Sequence, residues 1–202
     1  MNEAVSLVGL AGRVDAVVMG ASAGGVDALL MLLPELSANF RLPIFIVVHM
    51  PRDRPSLLSE IFAQKCALPV CEAQDKEPVR PGCIYFAPSD YHLLIDAGPQ
   101  LALSADEPVN YSRPSIDVLF ESAADVYGPR LLAIILTGAN DDGTEGLAAV
   151  REAGGITIVQ QPRSAQVKQM VISALNRNPT SHVLDLEGIS AVLHTMDQGV
   201  TV

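Results

Sequence analysis

Tryptophan is absent from this chain, and four tyrosines and five phenylalanines are its only aromatic residues. Its core must therefore be aliphatic, built from Val, Ile, Leu and Ala. Basic residues are scarce as well: 13 Lys and Arg stand against 23 Asp and Glu, a formal net charge of −10. That balance argues against a nucleic-acid surface, which needs a basic face, and against an electrostatic anchor on anionic lipid. Long apolar runs are missing too. Stretches such as Leu131 to Leu136 and Ala28 to Leu33 fall far short of the roughly 20 residues that cross a bilayer, so no membrane insertion is expected. The first residues include Glu3 and no basic segment, so no signal peptide is expected. The cysteines, Cys66, Cys71 and Cys83, are odd in number and lack zinc-ligand spacing, which reads as reduced thiols in a cytoplasmic protein. No cofactor and no metal are expected.

What is present points to a folded domain. Hydrophobic residues make up 49% and charged residues 18% of 202 positions, which is incompatible with intrinsic disorder. A chain of this length buries roughly 70% of its unfolded surface and reads as a single domain over residues 1–202. Apolar runs alternate with helix-like segments, the pattern of an α/β fold with a mainly parallel sheet between helical layers. Strands are predicted at Val14–Met19, Ile44–Val48, Leu68–Glu72, Leu131–Leu136, Ile156–Val159 and near Val183. Helices are predicted after Gly25, over Ser56–Lys65, Ser115–Tyr127, Thr144–Ala153 and Ala165–Leu175, and around Ile189–Met196. Between Cys83 and Leu103 the runs CIYFAP, HLLIDA and LALSA suggest an inserted antiparallel β meander.

Three strand ends carry polar residues suited to chemistry. Gly20-Ala21-Ser22-Ala23-Gly24 fits G-x-S-x-G, in which a sharp strand-to-helix turn lifts a serine hydroxyl clear of the sheet. The following helix points free N–H groups at the same spot, suiting an oxyanion. A plain tight turn or a phosphate cradle would use similar residues. A dinucleotide site, however, needs an acidic residue at the end of the second strand, and that strand ends Val47-Val48-His49-Met50. His49 is the first polar residue after a buried run, so it emerges on the same rim as Ser22. The strand Leu131–Leu136 opens into Thr137-Gly138-Ala139-Asn140-Asp141-Asp142-Gly143, which could equally be a turn with a helix cap. Together these ends offer a nucleophile, a base and an orienting carboxylate. Asp141 and Asp142 are adjacent, and composition does not choose between them.

The combination GASAGG, VVHMP, RPSIDVLF (Arg113 to Phe120) and LTGANDDG resembles the catalytic domain of chemotaxis protein-glutamate methylesterases (CheB-type). The resemblance runs from about Val14 to Leu175. It implies that Ser22 is the nucleophile, His49 the general base and acid, and Asp142 the orienting carboxylate. Backbone N–H groups of Ala23 and Ala139 are the expected oxyanion donors. The family hydrolyses glutamate γ-methyl esters on cytoplasmic helices of chemoreceptors, releasing methanol, and deamidates particular receptor glutamines. Three departures stand out. The family commonly has Met-Gly where this chain has Ala139-Asn140. A Gly-Met-Pro element appears as Gln169-Met170-Val171. Only about 13 residues precede the first strand, so control by a receiver domain is expected, if at all, from a separate response-regulator chain. The altered segments keep two other readings open: a degenerate methylesterase-like interaction module, and a general small-ester hydrolase. His182 and His194 come late enough to serve a Ser-Asp-His order instead. His92 reads as a surface or core residue, and Arg113 as either a solvated charge or part of the acyl site.

Overall fold

The computed structural model describes residues 12–50 and 56–197. In chain order the first elements are β1 (Ala16–Ala21), α1 (Gly25–Leu32), β2 (Ile44–Val48), α2 (Leu58–Ala63), β3 (Val70–Glu72) and β4 (Ile84–Phe86). Next come β5 (His92–Asp96), β6 (Gln100–Ser104), α3 (Ile116–Tyr127), β7 (Leu131–Ile135) and α4 (Thr144–Glu152). The chain continues with β8 (Ile156–Gln160), α5 (Gln169–Arg177), β9 (His182–Leu184) and α6 (Leu186–Asp197). Seven strands form one sheet in the order β3-β4-β2-β1-β7-β8-β9, and every pairing in it is parallel.

The parallel arrangement follows from hydropathy. Every residue of β1, β2 and β7 is buried, as expected for strands covered on both faces. Their side chains alternate. Val17 and Met19 join the core beneath α1, α2 and α6, whereas Ala16 and Val18 join the core beneath α3, α4 and α5. The few aromatics are concentrated on one half of the sheet, where Phe45 stacks on Tyr85 and Phe62 packs against Phe86. No helix among the described residues is long and apolar enough to cross a membrane.

The antiparallel insert is smaller than the three runs suggested. Only β5 and β6 pair antiparallel, as a separate two-stranded sheet. The run CIYFAP instead supplies β4, whose buried residues pair parallel with both β2 and β3. Helix α5 begins at Gln169 rather than Ala165, because the backbone just before it bonds across to the loop after β7. Gly138 N–H donates to Val167 O at 3.1 Å, and Val167 N–H donates to Thr137 Oγ1 at 2.9 Å. From β1 the chain first moves to β2 on one side and later returns to β7 on the other. Such a reversal opens a crevice at the carboxyl ends of the central strands.

Candidate active site

Ser22, His49 and the loop after β7 meet in that crevice. Ser22 follows β1 directly, and its N–H donates to Thr137 O at 3.0 Å. The turn closes with Gly25 N–H donating to Ser22 O at 2.8 Å. Gly24 caps α1 with φ 79°, and a Cβ there would lie 2.3 Å from Gln166 Oε1. Only glycine fits both the left-handed backbone and the neighbour. Gly143 repeats the device before α4, with φ 93° and a would-be Cβ 2.6 Å from Ile135. The residues just before these two glycines, Ala23 and Asp142, are thus held at sharp strand-to-helix entries.

His49 extends the β1–β2 ladder by one bond, its N–H donating to Ala21 O at 3.0 Å. Its Nε2 lies 2.7 Å from Asp142 Oδ2. Asp142 is fully buried and heavily ligated. Oδ2 also accepts Ile116 N–H at 2.6 Å, while Oδ1 accepts Ser115 Oγ–H at 2.7 Å, Asn110 Nδ2–H at 3.2 Å and Asp117 N–H at 3.3 Å. The two α3 amides in this set place the carboxylate at a helix N-terminus, which favours its charge. Burial alone would raise the Asp142 pKa. The bonds from His49, Ile116 and Ser115 outweigh it and hold the carboxyl below its ordinary value. An ionised carboxylate only accepts hydrogen bonds, so the His49 tautomer that fits carries its proton on Nε2, and in the neutral ring Nδ1 is the acceptor.

That Nδ1 faces Asn140, whose Nδ2–H donates to it at 3.3 Å and also approaches Ser112 Oγ at 3.3 Å. Among the described residues Ser22 Oγ makes no hydrogen bond, so the Ser22–His49 contact is open in this state. A cavity of about 210 Å³ holds the group, lined by Ser22, His49, Met50, Ser112, Asn140 and their neighbours in the two loops. Ala139 stands in its wall, and neither the Ala23 nor the Ala139 N–H is engaged by another described residue.

The neighbouring acid points elsewhere. Asp141 accepts Gln169 Nε2–H at 3.0 Å and Ser173 Oγ–H at 2.7 Å on the exposed edge of α5. His182 opens β9 at the far margin of the sheet, at the strand's starting end, and His194 lies on α6 in a groove with Met31. Neither lines the Ser22 cavity. His92 is a core residue, accepting Ser115 N–H on Nδ1 at 3.1 Å, with its Nε2 lying 3.2 Å from Glu107 O. Arg113 lines the cavity wall. Its guanidinium holds Asp90 Oδ1 at 2.7 Å and the carbonyls of Ala105 and Asp106 at 2.9 Å each. Met170 packs against Gly138 and is itself fully buried, next to the exposed Gln169 that opens α5.

Asp117 escaped the sequence reading although it lies inside RPSIDVLF. It is buried, accepts Gly146 N–H at 2.6 Å, and shares the Asn110 amide with Asp142 at 2.7 Å. Burial, together with the neighbouring Asp142 charge, pushes its pKa up to about 6 against the opposing Gly146 bond. An acidic residue at a nominal helix start ordinarily signals no more than a favourable first turn. Its burial could be read only once α4 was seen to pack on α3.

Comparison with known proteins gives the family and the fold. The family model described as CheB methylesterase matches residues 17–193. The chain belongs to the CheB methylesterase family. A Leptospira interrogans relative, provisionally named protein-glutamate methylesterase/protein-glutamine glutaminase, is 42% identical over 184 residues, 91% of this chain and 95% of that one. Protein-glutamate methylesterase/protein-glutamine glutaminase 2 of Caulobacter vibrioides is 37% identical over 94% of this chain, which spans only 56% of that relative. The crystal structure of the Thermotoga maritima CheB methylesterase catalytic domain superposes with a TM-score of 0.84 at 35% identity, covering 89% of this chain and 97% of that domain.

Proposed function

We propose that this CheB-family chain is a serine hydrolase that removes methyl groups from glutamate γ-methyl esters on the cytoplasmic helices of chemoreceptors, and deamidates particular receptor glutamines. Ser22 is the nucleophile, His49 the base and acid, and Asp142 the carboxylate that sets the imidazole. The observation that carries this reading is the 2.7 Å contact between His49 Nε2 and a buried, saturated Asp142, which leaves Nδ1 as acceptor in the cavity that Ser22 lines.

In this mechanism Ser22 Oγ attacks the ester carbonyl while its proton passes to Nδ1. The ring nitrogens thus exchange the roles they hold in the chymotrypsin arrangement, where Nε2 is the base. Negative charge on the tetrahedral oxygen is met by the N–H groups of Ala23 and Ala139. His49 returns the proton to the departing methoxide, giving methanol and a glutamyl ester of Ser22. Water activated by Nδ1 then attacks that ester, releasing the glutamate carboxylate and restoring the hydroxyl. For a glutamine side chain the same steps release ammonia. The Asn140 amide must leave Nδ1 before Ser22 engages it, since catalytic hydrogen bonds often tighten only with substrate in place. The intact Asp142 network disfavours a non-catalytic interaction module.

Methanol release from a methylated chemoreceptor fragment tests the proposal. Ser22→Ala should lower turnover by about 10⁴-fold or more while the fold persists. Retention of more than a tenth of the activity would show that another group is the nucleophile.

A further inference from the structure

Two of the three cysteines meet at the edge of the sheet. Cys71 lies in the edge strand β3, and Cys83 immediately precedes β4, its parallel neighbour. Both are free thiols, and their sulfurs lie 3.5 Å apart. The exposed side chain of Arg80 reaches both. Its Nη2–H groups donate to Cys71 Sγ at 3.5 Å, to Cys83 Sγ at 3.8 Å and to Glu77 Oε1 at 3.1 Å. The Arg80 backbone N–H donates to the Tyr85 hydroxyl at 2.9 Å, and the guanidinium stands 6.0 Å from the centre of the Tyr85 ring. None of these residues lines the cavity that holds Ser22, so the hydrolase chemistry gives no account of the cluster.

The cluster gives one thiol the surroundings of a nucleophile. The hydrogen bond from Cys71, the Tyr85 hydroxyl and the Arg80 charge together outweigh burial and bring the Cys83 pKa down to about 7. The same bond to Cys83, with burial, raises that of Cys71. Cys83 thus carries the thiolate, and Cys71 keeps the proton. A thiolate beside an arginine, with a second thiol in reach, is the setting in which peroxide oxidises cysteine selectively. Cys66 is the contrast, since burial alone raises its pKa and no cation opposes it. Sulfurs in a disulfide are about 2.05 Å apart, so roughly 1.5 Å must be closed. That movement falls on β3, an edge strand of three residues.

We propose that Cys71 and Cys83 are a redox modification site, oxidised by hydrogen peroxide to a disulfide that ties β3 to β4, with Arg80 stabilising the reacting thiolate. The Cys83 sulfur attacks one peroxide oxygen. An S–O bond forms, the O–O bond breaks, and hydroxide leaves and is protonated to water. The Cys71 sulfur, giving up its proton, then attacks the sulfenic sulfur, forming the S–S bond and releasing the second water. Two thiols are oxidised by two electrons, and peroxide is reduced to two waters. The whole chain, reduced and then treated with a few equivalents of hydrogen peroxide, is alkylated in denaturant and mapped by mass spectrometry. The expected product is a monomer lighter by two hydrogens, with Cys71 linked to Cys83 and Cys66 alkylated. Cys71→Ser should halt at a sulfenic acid on Cys83, captured by dimedone on unfolding. Arg80→Gln keeps a polar side chain without the charge and should slow disulfide formation by about fivefold or more. Alkylation of Cys71 and Cys83 as fully as Cys66, a disulfide that includes Cys66 or joins two chains, or a rate for Arg80→Gln within twofold of the parent would overturn the proposal.

Discussion

Replacing Asp142 by Asn probes the network at its most constrained point. The carboxylate oxygens receive five donors: His49 Nε2 and Ile116 N–H on Oδ2, and Ser115 Oγ, Asn110 Nδ2 and Asp117 N–H on Oδ1. Asn has one acceptor oxygen, so its NH₂ group must face one of these sets. Facing the first, it strands Ile116 N–H and turns His49 into the tautomer with its proton on Nδ1, the nitrogen that must accept from Ser22. Facing the second, it strands Asp117 N–H, while the Ser115 hydroxyl rotates to accept. Either way one buried amide is left unsatisfied, costing about 1–3 kcal/mol. For a domain of this size that lowers Tm by roughly 2–12 °C. The tautomer error and the lost charge should cut kcat by about 10³ to 10⁴. Asp141→Asn is the control. The Asp141 carboxylate accepts from Gln169 and Ser173 at the exposed edge of α5, and an amide oxygen replaces it there. Its cost in kcat should stay under about tenfold, since neither bond touches the imidazole. Methanol release and thermal unfolding of the two variants, measured side by side at pH 7 to 8, decide the matter. Equal losses in kcat, or a larger one at Asp141, would refute the assignment of the carboxylate.

Two further perturbations bear on the groups behind the imidazole. The Asp117 carboxyl, raised to about 6 by burial and by Asp142, binds its proton more tightly in the fold than in the unfolded chain, where the pKa is about 4. Its contribution to stability therefore falls as pH rises from about 4 to 6 and stays lower above that window. The unfolding free energy of Asp117→Asn minus that of the parent should accordingly grow by up to about 3 kcal/mol between pH 4 and 7, and a flat difference in denaturant titrations would contradict the account. Asn140→Gly removes the amide that occupies His49 Nδ1, so turnover should rise by up to about tenfold, the worth of one net hydrogen bond. A fall of more than threefold would instead give the amide a part in stabilising the transition state.

Much of this arrangement was legible before any coordinates. β2 falls on its predicted residues because a continuous apolar run ending at His49 leaves little choice of register. Ser22 and His49 share a rim because parallel strands carry their following residues to the same edge of the sheet. What resisted reading depended on partners distant in sequence. The start of α5 hinges on Val167 bonding to Thr137, a contact between loops 30 residues apart. The run CIYFAP looks the same in a meander or a parallel sheet, and only its pairing with β2 decides. Ser115 and Asp117 read as an ordinary helix start, yet Ser115 donates to Asp142 and Asp117 becomes a second buried carboxylate beside it. Asn140 was visible as a departure from the family pattern, but the direction of its side chain toward Nδ1 was not.

The central claim, that Ser22 forms a covalent bond to the substrate acyl group, is tested most directly by acid-quenching the reaction before steady state and mapping the protein by mass spectrometry. The account predicts a glutamyl adduct on the peptide containing Ser22, with a methanol burst of up to one equivalent per enzyme and neither signal in Ser22→Ala. Methanol release that continues in Ser22→Ala, or an adduct located on any other residue, would contradict it.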